Sequence, residues 1–285
     1  MFMTSKRDDE NHHELKEQFM HEPNPLKYNM IAPPQGLHVM MNPSEFVKAH
    51  FGADSKNYQF RKGTTTLGFI YEPATPNDKG GVVIAVDSRA SAGQYIASAT
   101  VDKILDINDK MVATMAGGAA DCQFWIRVVA KYCNLFELRE KMDITVSATS
   151  KYFANVMYGW RGQGLSVGSM IAGYDKRGPG LFYIDQDGQR LPMNLCSIGS
   201  GSLNAYGILD TQYKPKMTDE EALKLGRRAI MHATYRDAGS GGYCTVVHIT
   251  SEGKTRYPRL DVSELYKEFA HEIRRDIAYE PKDEQ

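Results

Sequence analysis

The stretch RKGTTTLGF, Arg61–Phe69, sets one glycine before three consecutive threonines and then an alternating apolar run. β propensity alone accounts for Thr64, Thr65 and Thr66 at the start of a strand. A cleavage that turns Thr64 into a new N-terminus accounts for Gly63 as well. A threonine hydroxyl is a poor nucleophile unless a base stands beside it, and one such base is the residue's own α-amino group, with a pKa of about 8. That route requires a cut just before the threonine. Gly63 suits it, because without a Cβ its carbonyl can be approached by the Thr64 hydroxyl in a bent backbone.

Around this point the chain changes character. Residues 1–63 are rich in His, Asn, Pro, Lys and Glu, and HEPNPLKYNMIAPPQG reads as extended or irregular chain, since each proline turns its predecessor away from helix. After Gly63 the periodicities become strong. TTTLGFIYE alternates, GGVVIAVD (Gly80–Asp87) is a compact apolar strand, and PATPNDKGG between them is turn chemistry. KMVATMAGG (Lys110–Gly118) predicts a strand ending in a glycine turn. Ala119–Lys141 carries apolar residues at helical spacing, and a second helix is expected over about Ser147–Tyr158.

Strands follow at LSVGSMIAGYD, at GLFYIDQDG with a hairpin turn at Asp187-Gly188, and at LCSIGSGS. Thr218 with Glu221 three residues on is a capping-box signature that opens a helix. CTVVHIT predicts a strand, and DVSELYKEFAHEIRRD a final amphipathic helix. Strands in antiparallel groups, separated by paired helices, do not fit a βαβ alternation. They predict an α+β fold with two sheets and helix pairs outside them, a four-layer αββα sandwich.

Composition bounds the function. In 285 residues, 34 Lys+Arg against 35 Asp+Glu leave a net charge of -1, which is no footprint for nucleic acid or an anionic membrane. Hydrophobic residues at 42% suffice for a sizeable core, and no apolar run reaches the ~20 residues of a membrane span. Cys122, Cys133, Cys196 and Cys244 are widely spaced, so reduced thiols are expected rather than a zinc site or a disulfide framework. The charged N-terminal stretch lacks the apolar core of a secretory signal, which predicts a cytosolic or nuclear protein.

Several signatures fail. There is no phosphate-binding G-x-x-x-x-G-K-[ST], and GQGLSVG (Gly162–Gly168) has neither the spacing nor the context of a dinucleotide fingerprint. There is no H-E-x-x-H and no G-x-S-x-G. His12 and His13 read as a solvated pair. No cofactor and no metal is implied.

An N-terminal threonine needs company: a cation to favour its alkoxide, a carboxylate to hold that cation, and backbone N–H groups facing the oxyanion. GTTTL, VIAVDSRASAG, TMAGGAADCQFW, GSGSLNAYGILD and YRDAGSGG, in this order from Thr64 to about Tyr257, resemble the catalytic beta-type subunits of the eukaryotic proteasome core particle. The details of TMAGGAADCQFW and YRDAGSGG are most similar to the fifth, chymotrypsin-like, beta type. The resemblance implies the N-terminal nucleophile hydrolase fold and a threonine endopeptidase, with residues 1–63 a propeptide removed autocatalytically between Gly63 and Thr64 and residues 64–285 the catalytic domain. It assigns Thr64 as nucleophile, Asp87 and Lys103 as the charge pair beside it, and Ser200, Asp237 and Ser240 around the threonine amine. Gly117 would give an oxyanion-hole N–H. Ala90, Ser91, Val101, Met115 and Ala119 would contact substrate; the uncharged pocket of Ala90, Val101, Met115 and Ala119 implies cleavage after bulky apolar residues. The implied partners are other alpha- and beta-type subunits in stacked seven-membered rings, with unfolded polypeptides as substrates.

The sequence departs from the family pattern in places. Pro73–Lys79 reads as an insertion at a hairpin tip, where length is tolerated. Gly239 stands where tyrosine is usual, which would loosen the turn that carries Asp237 and Ser240. Ser91 replaces threonine and keeps the hydroxyl. Asp102 replaces a lysine beside Lys103, a local change of charge. A ring subunit that keeps the fold without cleaving, and an amidohydrolase acting on small molecules, are the alternatives. The first is expected to lack the threonine after a processable glycine or the lysine, and both are present.

Overall fold

Residues 82–86 alternate between two different cores, which explains why the Gly80–Asp87 stretch is apolar throughout. Val82, Ile84 and Val86 face one apolar cluster, while Val83 and Ala85 face another. A strand covered on both faces lies in an inner layer. The structure, a computed structural model, describes residues 63–92 and 95–273. The expected propeptide, apart from Gly63, and the pair His12 and His13 lie outside the described residues.

In chain order, strands β1 (Thr65–Pro73), β2 (Gly81–Val86), β3 (Ala90–Ala92), β4 (Tyr95–Ser98), β5 (Ile104–Asn108), β6 (Met111–Thr114) and β7 (Ala116–Gly117) precede helices α1 (Ala119–Glu140) and α2 (Val146–Gly159). Then come β8 (Val167–Asp175), β9 (Gly178–Asp185), β10 (Arg190–Pro192), β11 (Leu195–Gly199), α3 (Ser202–Gln212), β12 (Lys216–Met217) and α4 (Asp219–Arg236). The described chain ends with β13 (Tyr243–Thr250), β14 (Gly253–Arg256), β15 (Leu260–Asp261), α5 (Val262–Glu268) and α6 (Ala270–Ile273).

The first sheet has the order β11-β1-β2-β13-β14, with β12 beside β1 and β15 beside β13; the second has the order β10-β9-β8-β6-β5, with β7 beside β8. Every ladder is antiparallel except the short β1–β12 pair. Three apolar clusters separate four layers. Leu67, Phe69 and Tyr71 of β1 pack with Leu209 of α3 and Ala222, Leu225 and Ala229 of α4. Val247 and Ile249 of β13 meet Met170 of β8 and Leu181 of β9 between the sheets. Ala113 and Ile171 of the second sheet meet Ile126 and Val129 of α1 and Phe153 and Met157 of α2. The expected αββα sandwich is the observed architecture.

Local signals explain most boundaries. Cys122, Ile126, Val129 and Cys133 form the buried stripe of α1, which stops where Lys141 turns left-handed at φ 55°. Thr145 caps α2 by accepting from the Ala148 N–H. At α4 both halves of the Thr218/Glu221 capping box form. Thr218→Ala should therefore lower stability by about 1 kcal/mol, read as a shift in the urea midpoint with unchanged slope. Cys122, Cys133, Cys196 and Cys244 are all buried.

Two elements differ from expectation. The final helix is broken: α5 ends at Phe269, whose backbone leaves the helical region, and a short α6 follows. Phe269 is buried in the cluster beneath α4, so tertiary packing overrides a continuous helix. Helix α3 has no clear signature in the sequence, because Gly207 interrupts it and only Ala205 and Leu209 are fully buried. The segment Pro73–Lys79 leaves β1 at the end remote from Thr64. It is tied to the start of α4: the Asp219 carboxylate accepts from the Tyr71 hydroxyl (2.6 Å) and from the N–H groups of Lys79 and Gly80, while the Asp219 N–H donates to Asp78.

Candidate active site

Thr64 immediately precedes β1, and the strands pairing with β1 decide what surrounds it. On one side β2 ends at Val86, so Asp87 lies level with Thr65; the Thr65 N–H donates to Asp87 Oδ1 at 2.9 Å and the Asp87 N–H to the Thr65 carbonyl at 3.1 Å. On the other side β11 ends at Gly199, which pairs with Thr65 and delivers Ser200 beside Thr64. The next strand, β13, begins just after Ser240, Gly241 and Gly242, bringing the α4–β13 connection to the same edge.

Lys103 arrives from the second sheet, directly before β5. Its Nζ donates to Asp87 Oδ1 at 2.5 Å and to Thr64 Oγ1 at 2.9 Å, and lies 3.4 Å from the Gly63 carbonyl oxygen. Both members of the ion pair are buried, at 3% and 0% side-chain exposure. A buried charge is tolerated only with satisfied partners. Asp87 has them: Oδ1 takes Lys103 and the Thr65 N–H, while Oδ2 takes the N–H groups of Gly241 (2.9 Å) and Arg89 (3.2 Å). Burial pushes the Lys103 ammonium below its ordinary pKa, outweighing the Asp87 charge and hydrogen bond that act the other way.

A second chain of bonds starts at the Thr64 nitrogen. Its N–H donates to Ser200 Oγ at 3.2 Å; Ser200 Oγ donates to Asp237 Oδ2 at 2.6 Å, as does Ser240 Oγ, and Ser240 Oγ also lies 2.8 Å from Thr65 Oγ1. Burial tends to raise the Asp237 pKa, but the hydroxyls of Ser200 and Ser240, the Gly239 N–H and the Lys103 charge together hold it below the usual carboxylate value. Thr64, Asp87, Lys103, Ser200, Asp237 and Ser240 are thus brought into one connected network. Thr65 belongs to it too and was missed from sequence; its place in the TTT run looked like strand propensity alone.

Gly117 ends β7 at φ 111°, a conformation that favours glycine, and a Cβ there would meet the Ser166 carbonyl oxygen at 2.5 Å. The Gly118 N–H donates to Ser166 O at 2.8 Å, and antiparallel bonds alternate, so the Gly117 N–H points off the β8 ladder. Of the expected substrate-contacting residues, Val101 and Met115 share one apolar cluster, with Met115 only 4% exposed. Ala90 and Ser91 lie on β3, and Ala119 is exposed at the first position of α1.

The turn at Gly239 is not loose. The Gly239 N–H donates to Asp237 Oδ1 at 3.0 Å and the Ser240 N–H to the Asp237 carbonyl at 3.1 Å, so position 239 needs no side chain to keep Asp237 and Ser240 in place. Gly63 and Gly239 lie face to face: a Cβ on Gly63 would stand 2.1 Å from the Gly239 carbonyl oxygen. Gly63→Val should therefore displace the scissile carbonyl and slow removal of residues 1–63 about tenfold or more, measured by pulse-labelling and intact mass.

What the arrangement can do follows from its parts. The Thr64 hydroxyl donates to the Gly63 carbonyl oxygen at 2.5 Å beside a lysine whose neutral form is favoured by burial, with no metal-binding cluster among the described residues. A threonine at the mouth of an αββα sandwich, its hydroxyl on a buried lysine and its nitrogen on a Ser–Asp–Ser chain, defines an N-terminal nucleophile hydrolase of the threonine type.

Residues 60–249 match the family described as Proteasome subunit. The chain is 65% identical to Proteasome subunit pbs-5 of Caenorhabditis elegans, over 90% of this chain and 93% of that protein. It is 51% identical to Proteasome subunit beta type-5 of Gallus gallus (75% and 82% covered) and 47% identical to Proteasome subunit beta type-5 of Dictyostelium discoideum (80% and 82% covered). The chain belongs to the proteasome subunit family.

Proposed function

We infer that this chain is a catalytic beta-type proteasome subunit, a threonine-type endopeptidase that cleaves after bulky hydrophobic residues and is activated by cutting its own chain between Gly63 and Thr64. The observation that carries the reading is the Lys103 ammonium, bonded at once to Thr64 Oγ1 and Asp87 and 3.4 Å from the Gly63 carbonyl oxygen. A subunit that kept only the fold would have no reason to bury this pair beside an intact glycine–threonine bond.

In the first reaction Lys103 acts from its neutral amine form, towards which burial shifts it: Thr64 Oγ1 attacks the Gly63 carbonyl carbon and its proton passes to the free lone pair of Lys103 Nζ, which becomes the ammonium. The Gly63–Thr64 C–N bond breaks, the proton goes to the departing Thr64 nitrogen, and the leader is left as an ester on Oγ1. Water cleaves that ester, releasing residues 1–63 as a carboxylic acid and leaving Thr64 with a free amine.

In the mature cycle that amine, oriented by Ser200 and Asp237, accepts the Oγ1 proton through water. Oγ1 attacks a substrate carbonyl, the Gly117 N–H stabilises the oxyanion, the amine product leaves with the proton, and water hydrolyses the acyl ester. Val101 and Met115 give the P1 side chain an apolar wall with no countercharge, and Met115 is flexible enough to make way for a large ring. Ala90, Ser91 and Ala119 complete the contact. The substrates are unfolded polypeptides, in ubiquitin-dependent and related degradation.

The chain assembles with other proteasome subunits. We place it in stacked seven-membered rings with alpha- and beta-type partners, in the cytoplasm and nucleus. Intact mass of the chain from assembled particles tests the reading. A first residue at Thr64, with hydrolysis of a peptide bearing an aromatic P1 residue that a threonine-directed electrophile blocks, is expected; a chain that still starts at Met1 in active particles would overturn it.

A further inference from the structure

Lys103 reaches its partners from the segment directly before β5, and the backbone on either side of it is bonded by two arginines, one ending β14 of the first sheet and one just after it. Asp102 Oδ2 accepts from Arg256 Nη1 at 2.7 Å and lies 3.3 Å from Arg259 Nη2, while Asp102 Oδ1 accepts from the Ile104 N–H at 3.1 Å. Arg256 Nη2 donates to the Ile104 carbonyl at 3.0 Å and Arg259 Nη1 to the Thr100 carbonyl at 3.2 Å. Arg256 ends β14, the edge strand of the first sheet, and β5, which follows Lys103, is the edge of the second.

We propose that Asp102, Arg256 and Arg259 are positioning residues for the reaction, forming a clamp that fixes the backbone before and after Lys103 and so holds its ammonium against Thr64 Oγ1. Single exposed ion pairs contribute little, but these bonds converge on one short segment and include two backbone carbonyls, so they restrict geometry as a network. The guanidinium fork lets Arg256 hold the Asp102 carboxylate and the Ile104 carbonyl together, which a lysine could not do. An acid at 102 and arginines at 256 and 259 make a matched set. The lysine that the family resemblance leads one to expect at 102 would here face two like charges.

The inference rests on the catalytic reading of Lys103 and is tested in assembled particles, with turnover expressed per Thr64 labelled by a threonine-directed electrophile. Asp102→Asn and Arg256→Gln should each lower kcat for an aromatic-P1 peptide about tenfold with a distinctly smaller rise in KM, because the cation is misplaced more than the pocket wall at Val101, which the same segment carries. Arg256→Lys should fall between. Asp102→Lys should lose more, and combining it with Arg256→Glu and Arg259→Glu should recover much of the loss. If a single variant fails to assemble, Arg259→Gln carries the same expectation, since it removes one carboxylate contact and one carbonyl contact. Wild-type kcat in the neutralised variants, KM rising in step with falling kcat, or no recovery in the charge-reversed set would each overturn the clamp. Full activity in Lys103→Ala would instead overturn the catalytic reading beneath it.

Discussion

A chain carrying Thr64→Ala should enter particles with residues 1–63 still attached and should hydrolyse an aromatic-P1 peptide no faster than background. The change removes the one oxygen that is bonded to Lys103 at 2.9 Å and set against the Gly63 carbonyl. Nothing else in the network can replace it. Ser200 and Ser240 both spend their hydroxyls on Asp237. Folding should survive, because Lys103 keeps Asp87 and the four-layer core is untouched. Thr64→Ser keeps the oxygen and should retain cleavage. Intact mass and peptide turnover read both variants; cutting between residues 63 and 64 in the alanine variant would place the nucleophile elsewhere.

Lys103→Ala should be nearly as severe. Losing one group that stabilises charge in a transition state costs about 10²–10³ in turnover, and here the same cation serves self-cleavage, so uncut precursor should accumulate as well. There is also a structural cost. Asp87 would be left as a fully buried carboxylate with only backbone N–H partners, and breaking a buried pair on one side destabilises by about 3–5 kcal/mol. The two effects separate in the double variant Lys103→Met with Asp87→Asn, which removes the orphaned charge. Its stability should recover while turnover stays low. Restored turnover would take the lysine out of the mechanism.

How much of this was legible in the sequence varies with the range of the interaction. The compact apolar run of β2 and the Thr218/Glu221 capping box are written in neighbouring residues, and both elements form where expected. Helix α3 has an interior glycine and two fully buried positions, too faint a stripe to read; the break at Phe269 is set by packing under α4. The site is less local still. Lys103 and Thr64 are 39 positions apart and Ser200 lies 136 from Thr64, so spacing alone does not pair them; ordered family blocks pointed to them and strand register unites them. Thr65 escaped notice because its hydroxyl partner, Ser240, is 175 positions away. Asp102 is legible only as a change of charge, because Arg256, which faces it, lies 154 positions away.

The nucleophile belongs to one sheet and its cation to the other, and the apolar seam between those layers, together with the arginine contacts at Asp102, keeps them in reach. Catalytic rate therefore works as a gauge of how the two layers are aligned. A substitution that lets one slide over the other by an ångström, such as trimming Ile84 or Met170, would silence the enzyme well before the protein melted.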